Sequence, residues 1–183
     1  MKQILIGLLG TIGAGKTTVS DYLVKKGFYR VIMGDLVREK ATQNGLKLTR
    51  ENLGKTQEEY RDKYGPDYFI KEAIKKLKDS KKAKLLVDGI RLPIDADRAK
   101  FEGTKLLLVD APAEIRFERL KQRKREDDAQ TIGKFMEQEK AEWKRFDFEK
   151  TLEYVDYTLN NSGNLEELYT QINDILSEID GKS

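Results

Sequence analysis

A segment near the start of the chain has the residue types and spacing of a phosphate-binding loop. It runs from Gly10 to Thr17 and fits the pattern G-x-x-x-x-G-K-[ST] in full. Glycines let the backbone wrap so that successive N–H groups point at phosphate oxygens, and the helix that follows adds the positive end of its dipole. The residues predicted to bind ATP are Gly10, Thr11, Ile12, Gly13, Ala14, Gly15, Lys16, Thr17 and Thr18.

Three residues of this loop have separate predicted roles. Lys16 would bridge the β- and γ-phosphates, the Thr17 hydroxyl would bind Mg²⁺, and Thr18 would contact the α-phosphate. The alternative is a strand-to-helix turn that matches the pattern by chance. We disfavour it because the motif follows an apolar strand segment and opens an amphipathic one.

Carboxylates follow several predicted strands, at the edge where ligands of open α/β sheets bind. Asp88 ends the apolar segment 85–87 and is predicted to hold Mg²⁺ through water; the alternative is a cap on the next turn. Asp35 follows the second strand and is predicted to orient an acceptor hydroxyl or an acceptor-side Mg²⁺, to cap the next helix, or both. Asp110 is expected to be structural.

Arginines near these acids would supply the positive charge that phosphoryl transfer needs. Arg38 lies one helical turn after Asp35, and Arg91 follows Asp88 closely. A further group ends a basic helix and comprises Arg119, Arg123 and Arg125. We predict that this group closes over the transferring phosphate; the alternative is a solvated helix end that complements the helix dipole.

The composition narrows the chemistry that these residues can perform. The chain has 183 residues and a net charge of +3, and it contains neither His nor Cys. Disulfides, thiolate nucleophiles and histidine bases are excluded, and any metal is expected to be a hard, oxygen-liganded ion such as Mg²⁺. Because the charged residues, 37% of the chain, are of mixed sign, a nucleic-acid partner is disfavoured.

The apolar segments are all short. None of them is long enough to cross a membrane, and the first leads into the phosphate loop rather than into a cleavage site. We therefore expect a cytoplasmic protein without a membrane partner, either a monomer or a homodimer.

The elements that must position these residues alternate between strands and helices. Apolar segments predict five strands, at 3–9, 28–33, 84–88, 104–110 and 155–159. The intervening stretches predict helices at 16–26 and 35–43, one helix that begins near Thr49, and another that ends near 78. Further helices are predicted at 93–101, 112–124, 127–150 (broken near Gly133) and 165–179. This order predicts an α/β P-loop NTPase with a five-stranded parallel sheet flanked by helices. We expect one kinase domain over 1–183, with an acceptor-binding insertion at 36–78 and a lid region at 112–150.

Together these motifs resemble the nucleoside monophosphate kinase group. The segment Asp88-Gly89-Ile90-Arg91 is similar to the adenylate kinase motif D-G-[FY]-P-R without its proline, which implies that Arg91 holds the acceptor phosphate. The segment from Gly7 to Lys16 is also similar to the dephospho-CoA kinase loop G-L-T-G-G-I-G-S-G-K, and that resemblance places Asp35 at the acceptor hydroxyl. In such kinases the loop after the last strand packs on adenine. Asn161 occupies that place here, although the segment also suits a plain turn.

Over nearly its whole length the chain resembles an archaeal-type family of P-loop proteins described as adenylate-kinase-like or dephospho-CoA-kinase-like. The segments that carry this resemblance are 33–39, 49–55, 65–67, 88–91 and 119–128. The resemblance implies the fold and the use of ATP, but it does not name the acceptor.

Three functions follow from these observations. The leading hypothesis is a Mg²⁺- and ATP-dependent kinase of nucleoside monophosphates, whose acceptor lies between Asp35, Arg38, Arg50 and Arg91. The second is a kinase of a small-molecule hydroxyl, as in dephospho-CoA kinase, with Asp35 as the base. The third is a nucleotide-dependent switch or binding protein. The guanine-reading motif Asn-Lys-x-Asp and the transporter signature Leu-Ser-Gly-Gly-Gln are absent from the chain.

Overall fold

Strands and helices alternate along the chain in the computed structural model, which describes residues 3–123 and 129–181. The strands are β1 (Ile4–Gly10), β2 (Tyr29–Ile32), β3 (Lys84–Asp88), β4 (Lys105–Asp110) and β5 (Tyr157–Asn160). The first five helices are α1 (Lys16–Lys25), α2 (Met33–Gln43), α3 (Arg50–Tyr64), α4 (Tyr68–Asp79) and α5 (Pro93–Phe101). The later helices are α6 (Ala113–Arg123), α7 (Ile132–Phe146), α8 (Phe148–Leu152) and α9 (Leu165–Gly181).

All five strands belong to one parallel sheet with the order β2-β3-β1-β4-β5. In the register of this sheet, Asp88 lies beside Leu8 of β1 on one side and beside Ile32 of β2 on the other. Because the strands are parallel, the phosphate loop after β1, Asp88 and the start of α2 all lie at the same edge. The predicted α/β P-loop NTPase fold is confirmed.

The central strand β1 is buried on both faces of the sheet. Leu5 and Leu9 belong to a core that includes residues of α4 and α5, whereas Ile6 and Leu8 belong to a second core that includes residues of α1 and α9. A strand covered by helices on both faces reads as a continuous apolar run rather than as an alternating one. This explains why the segment before the loop has no polar side chain within it.

The predicted helical region 127–150 is interrupted close to Gly133, because residues 129–131 are not helical and α7 begins at Ile132. Thr131 caps α7 by accepting a hydrogen bond from the Lys134 N–H at 3.3 Å. A second break, which was not predicted, lies at Asp147, whose φ of 49° separates α7 from α8. Aspartate tolerates this left-handed conformation better than most residues, and glycine near the start of a helix disturbs it little.

The fifth strand begins later than its apolar residues predict. Asp156 exchanges hydrogen bonds with Leu106, through its main-chain N–H at 2.9 Å and its carboxylate at 2.8 Å, and only the residues after it join the sheet as β5. At this point the Asp156 carboxylate, rather than a main-chain carbonyl oxygen of β5, accepts the hydrogen bond from the Leu106 N–H.

The predicted insertion at 36–78 contains most of α2 together with α3 and α4. Thr49 caps α3 as predicted, because its hydroxyl accepts a hydrogen bond from the Asn52 N–H at 3.2 Å. A largely buried ion pair, 2.8 Å between Arg61 and Asp95, ties α3 to α5 and so fixes the insertion to the sheet. Within the two described ranges, no helix has the length and apolar character needed to span a membrane.

Candidate functional site

The loop from Gly10 to Thr17 leaves the carboxyl end of β1 and turns directly into α1. Gly13 and Gly15 have φ values of 79° and 94°, in the left-handed region that favours glycine. A Cβ on Gly13 would lie 2.6 Å from the carbonyl oxygen of Arg116, so this position has no room for a side chain. The first turn of a helix has N–H groups without helical partners, so loop and helix together offer donors to an anion.

Asn161, which directly follows β5, contacts the phosphate loop. Its buried side-chain amide donates a hydrogen bond to the Ala14 carbonyl oxygen at 2.8 Å. A Cβ on Gly15 would collide with this amide. The side chain of Asn161 therefore shapes the loop, while its predicted contact with adenine stays a prediction.

Arg119 reaches the same corner of the loop from α6. Its Nη2 donates to the Asn161 carbonyl oxygen at 2.8 Å. Its Nη1 is buried and has no hydrogen-bond partner in the described part of the chain, and it lies 3.9 Å from the position that a Cβ on Gly15 would take. A buried donor without a partner is rare in proteins, and a phosphate oxygen bound in the loop would satisfy it.

Arg116 contacts the loop as well, and the sequence analysis missed it. Its side chain is buried. Its Nε donates to the Ala111 carbonyl oxygen at 2.7 Å, its Nη1 donates to the Ile12 carbonyl oxygen at 3.3 Å, and its guanidinium pairs with Glu139 of α7. The signal was present, because Arg116 lies one helical turn before Arg119 on the same helix. This residue joins the loop, the end of β4 and α7.

The Lys16 amine lies among charged groups from several elements. Burial is the main cause that lowers the pKa of Lys16, and the positive charges of Arg91 and Arg123 lower it further. The carboxylates of Asp88 and Glu142 act in the opposite direction and raise this pKa. The structure thus brings charged side chains from β3, α6, α7 and the loop after β3 close to the lysine that is predicted to hold phosphates.

Thr17 and Asp88, the two residues predicted to bind Mg²⁺, lie at or after the carboxyl ends of the neighbouring strands β1 and β3. Thr17 lies exposed in the first turn of α1, and Asp88 ends the neighbouring strand β3 with 8% of its surface exposed. Residues 3–123 and 129–181 contain no group of three or more acidic side chains suited to holding a metal by themselves. Such a pair fits Mg²⁺, which is commonly held by one or two protein oxygens together with substrate phosphates and water.

Asp35 and Arg38 form a pair on α2 at the edge that also carries Asp88. The Arg38 Nε donates to the Asp35 carboxylate at 3.1 Å, and both side chains are about half exposed. The alternative prediction that Asp35 caps the helix is wrong, because α2 already begins at Met33. Asp35 lies within the first turn, where a carboxylate interacts favourably with the helix dipole. Arg50 is the first residue of α3.

Arg91 follows β3 and faces the junction of α7 and α8. Its guanidinium lies 5.4 Å from the centroid of the Phe146 ring, and its carbonyl oxygen accepts a hydrogen bond from the Thr151 hydroxyl at 2.9 Å. A cleft of about 50 Å³ separates the loop and Arg91 from these two helices. The side chains that line it on the helical side are Glu139, Glu142, Trp143, Phe146 and Phe148.

The predicted group of three arginines is only partly described. Arg119 and Arg123 both belong to α6, and Arg123 is close enough to influence Lys16. Arg125 lies outside the described residues. Closure of this group over a phosphate therefore stays a prediction, as do the boundaries of the lid region.

Replacing Glu139 by Gln should destabilise the fold, because it leaves the buried Arg116 guanidinium without a compensating charge. We expect the free energy of unfolding to fall by about 3 kcal/mol. Urea denaturation of the purified variant measures this change. Glu137→Gln on the exposed face of α7 is the matched control and should change the stability by less than about 0.5 kcal/mol. Equal stabilities of the two variants would show that the pair does not hold α7 to the loop.

Nucleotide binding should weaken as the pH rises, and the weakening should begin at a pH below 10.5, the ordinary pKa of lysine. Burial lowers the pKa of Lys16 in the free protein, and bound phosphate requires the charged amine. Above the lowered pKa each pH unit should therefore weaken binding by about tenfold and binding should take up a proton. Calorimetry above pH 8 in buffers of different ionisation enthalpy measures that uptake. Lys16→Arg, whose side chain keeps its charge, should abolish it; proton uptake that persists in this variant would contradict the assignment.

The sequence of the chain is similar to a known family model and to several archaeal proteins. Residues 6–145 match the family model described as AAA domain. The chain is 36% identical over 184 residues to the UPF0200/UPF0201 protein of Archaeoglobus fulgidus, and this alignment covers 98% of the chain but only 57% of that protein. It is 33% identical over 187 residues to the UPF0200 protein of Thermococcus kodakarensis, which covers 98% of the chain and 100% of the relative.

Solved structures share the fold at low sequence identity. TT1252 from Thermus thermophilus superposes with a TM-score of 0.67 at 22% identity, covering 97% of this chain and 98% of that one. Shikimate kinase from Acinetobacter baumannii, in complex with shikimate, gives a TM-score of 0.59 at 20% identity over 96% of this chain and 94% of that one. The chain shares the α/β P-loop NTPase fold of these structures, and its sequence relatives show that it belongs to the UPF0200 family.

Proposed function

We propose that the protein is a Mg²⁺- and ATP-dependent kinase whose acceptor is a nucleoside monophosphate. One observation carries the proposal: the phosphate loop and Arg91 line the same cleft, and the positive charge of Arg91 acts on the Lys16 amine. A loop for the donor phosphates and an arginine for a second anion are the two sites that a kinase of a phosphorylated acceptor needs.

The donor half of the reaction rests on the loop and its neighbours. The backbone N–H groups of the loop and the Lys16 amine bind the β- and γ-phosphates, and the unpaired Nη1 of Arg119 donates to a phosphate oxygen beside Gly15. Thr17 and Asp88 would hold Mg²⁺, which when bound neutralises charge on the phosphate oxygens. The proposed adenine contact of Asn161 would complete this half.

The acceptor half rests on charge and position rather than on proton transfer. Arg91 would hold the acceptor phosphate in line with the donor, and Asp35, Arg38 and Arg50 would orient the rest of the molecule. A phosphate acceptor is already ionised at neutral pH and needs no general base, which suits a chain without histidine. Arg123 and Arg125 would stabilise the charge of the transferring group and exclude water when the lid closes.

In this proposal the chain forms one kinase domain over 1–183. The 36–78 insertion binds the acceptor and the 112–150 region forms the lid. The expected partners are small molecules only, with neither nucleic acid nor membrane among them, and we expect a monomer or homodimer in the cytoplasm. The adenylate-kinase-like motif at 88–91 supports this form of the proposal.

A hydroxyl kinase of the dephospho-CoA kinase type is the second candidate. Asp35 supports it, because this carboxylate lies near the sheet edge that carries Asp88 and could accept a proton from an attacking hydroxyl. One structural neighbour is a shikimate kinase in complex with shikimate. The pairing of Asp35 with Arg38 weighs against this candidate, since the carboxylate that would accept the proton is already bound to a guanidinium.

A transfer assay tests the proposed function directly. Labelled γ-phosphate of ATP should pass to at least one of AMP, CMP, UMP, GMP, TMP or their deoxy forms, and only with Mg²⁺ present. Lys16→Met should reduce the transfer rate by at least about a thousandfold, because it removes the charge that holds the β- and γ-phosphates. Transfer to dephospho-CoA alone would favour the second candidate. Nucleotide binding without transfer to any of these compounds would favour a switch or binding protein.

Asp35→Asn separates the two kinase candidates. With a phosphate acceptor the maximal rate of the variant should fall by no more than about tenfold, because no proton has to be removed in the transfer step. With a hydroxyl acceptor the rate should fall by about a hundredfold or more, which is the usual loss of a general base. Asp79→Asn is the control, since this exposed carboxylate lies at the end of α4 that precedes β3, away from the site.

A further inference from the structure

We propose that the acceptor's ring is recognised by an aromatic wall formed by Trp143, Phe146 and Phe148, and that Trp143 determines the specificity for a planar nitrogen heterocycle. This inference rests on the proposed function, because it assigns the acceptor of that reaction to the cleft beside the loop. It adds the α7–α8 junction to the 36–78 insertion that is expected to bind the acceptor.

The wall and the phosphate loop border one continuous cleft. Lys16 and Gly10 lie on the loop side, and the three aromatic side chains lie on the helical side. Arg91 lines the same cleft, with its guanidinium 5.4 Å from the Phe146 ring centroid. A molecule whose phosphate is held by Arg91 would therefore have its other end against the wall.

The break between α7 and α8 creates the wall. Asp147 has a φ of 49°, so the chain turns between Phe146 and Phe148 and both rings line the cleft. The Trp143 ring lies 5.4 Å from that of Phe148, with an angle of 59° between them. The Thr151 hydroxyl bonds to the Arg91 carbonyl oxygen at 2.9 Å, which fixes this pair of helices to the residue proposed to hold the phosphate.

The indole N–H of Trp143 is a second, independent observation. It is buried, and it has no hydrogen-bond partner within residues 3–123 and 129–181. A buried donor without a partner costs about 1–3 kcal/mol and is rare enough to require a reason. A ring nitrogen or carbonyl oxygen of a heterocycle would supply the acceptor that this N–H lacks.

The chemistry of the wall distinguishes between classes of acceptor. Aromatic side chains stack on flat rings, which contributes about 1–3 kcal/mol per base. A non-aromatic polyhydroxy acid would bury its hydroxyl groups against these rings without hydrogen-bond partners. Its carboxylate would also meet the negative charge of Glu142, which lines the same cleft. Glu142 is instead suited to accept hydrogen bonds from an exocyclic amino group.

The cleft must widen before a ring can enter. It holds about 50 Å³, too little for a heterocycle to lie against the wall. The α7–α8 junction therefore moves away from the loop as the acceptor enters, which exposes the indole N–H to its new partner. Movements of this kind commonly accompany substrate entry in kinases.

Trp143 is the chain's only tryptophan, so its fluorescence reports directly on the wall. Titration with AMP, CMP, GMP and UMP should change the emission saturably for at least one of them. Ribose 5-phosphate, inorganic phosphate and shikimate, which lack a heterocycle, should leave it unchanged. An equal change with ribose 5-phosphate, or no change with any nucleotide, would overturn the proposal.

A graded pair of variants tests the specificity role. Trp143→Leu removes both the stacking surface and the N–H, and should raise the KM for the acceptor about tenfold to a hundredfold, well beyond any change in the KM for ATP. Trp143→Phe keeps the ring and should lose less, which also guards against misfolding of the leucine variant. Phe101→Leu is the control, because that ring is 79% exposed at the end of α5.

The outcomes separate this inference from the proposed function. Transfer to a nucleotide with the same acceptor KM in Trp143→Leu would overturn the aromatic wall and leave the kinase assignment intact. A saturable emission change with a nucleotide that is never phosphorylated would support the wall and contradict the kinase assignment.

Discussion

The backbone conformation of the loop between β1 and α1 is the constraint on which the rest of the structure depends. Gly13 and Gly15 adopt a left-handed conformation in places where a Cβ would collide with neighbouring atoms. These neighbours belong to Arg116 and Asn161, which come from α6 and from the end of β5. Contacts from α6 and from the residue after β5 thus shape the loop, and they hold its conformation before any ligand binds.

The Lys16 amine is buried, and this burial makes its charged form costly in the free protein. Burial is the main cause that lowers the pKa of Lys16, and the charges of Arg91 and Arg123 act in the same direction. Asp88 and Glu142 offset only part of this effect. A polyphosphate would stabilise the charged amine, because Lys16 and Arg91 line the same cleft and both would contact its oxygens. The site is therefore built to favour an anionic ligand.

The sheet and the loop could be predicted from the sequence because each depends on a local pattern. Apolar runs define the strands, and the glycines with Lys16 define the turn. Arg116 and Glu139 could not be paired in this way, since they are far apart in sequence and each lies on a helix rich in other charged residues. The same limit applies to Trp143, whose role depends on the turn at Asp147 rather than on helical periodicity. What was missed depends on contacts between elements distant in the chain.

Helix α7 contacts both halves of the site, and the strengths of its two attachments decide which end can move. Near its middle, Glu139 forms a buried ion pair with Arg116, and removing one partner of such a pair costs about 3–5 kcal/mol. At its end, Phe146 contacts Arg91 by a cation–π interaction, which contributes about 0.5–2 kcal/mol. The two points are about 10 Å apart along the helix. Separation of the end that carries the aromatic wall breaks this cation–π contact and the Thr151–Arg91 hydrogen bond, which contributes about 0.5–1.5 kcal/mol. This end should therefore separate first, while the ion pair keeps the phosphate loop in its binding conformation.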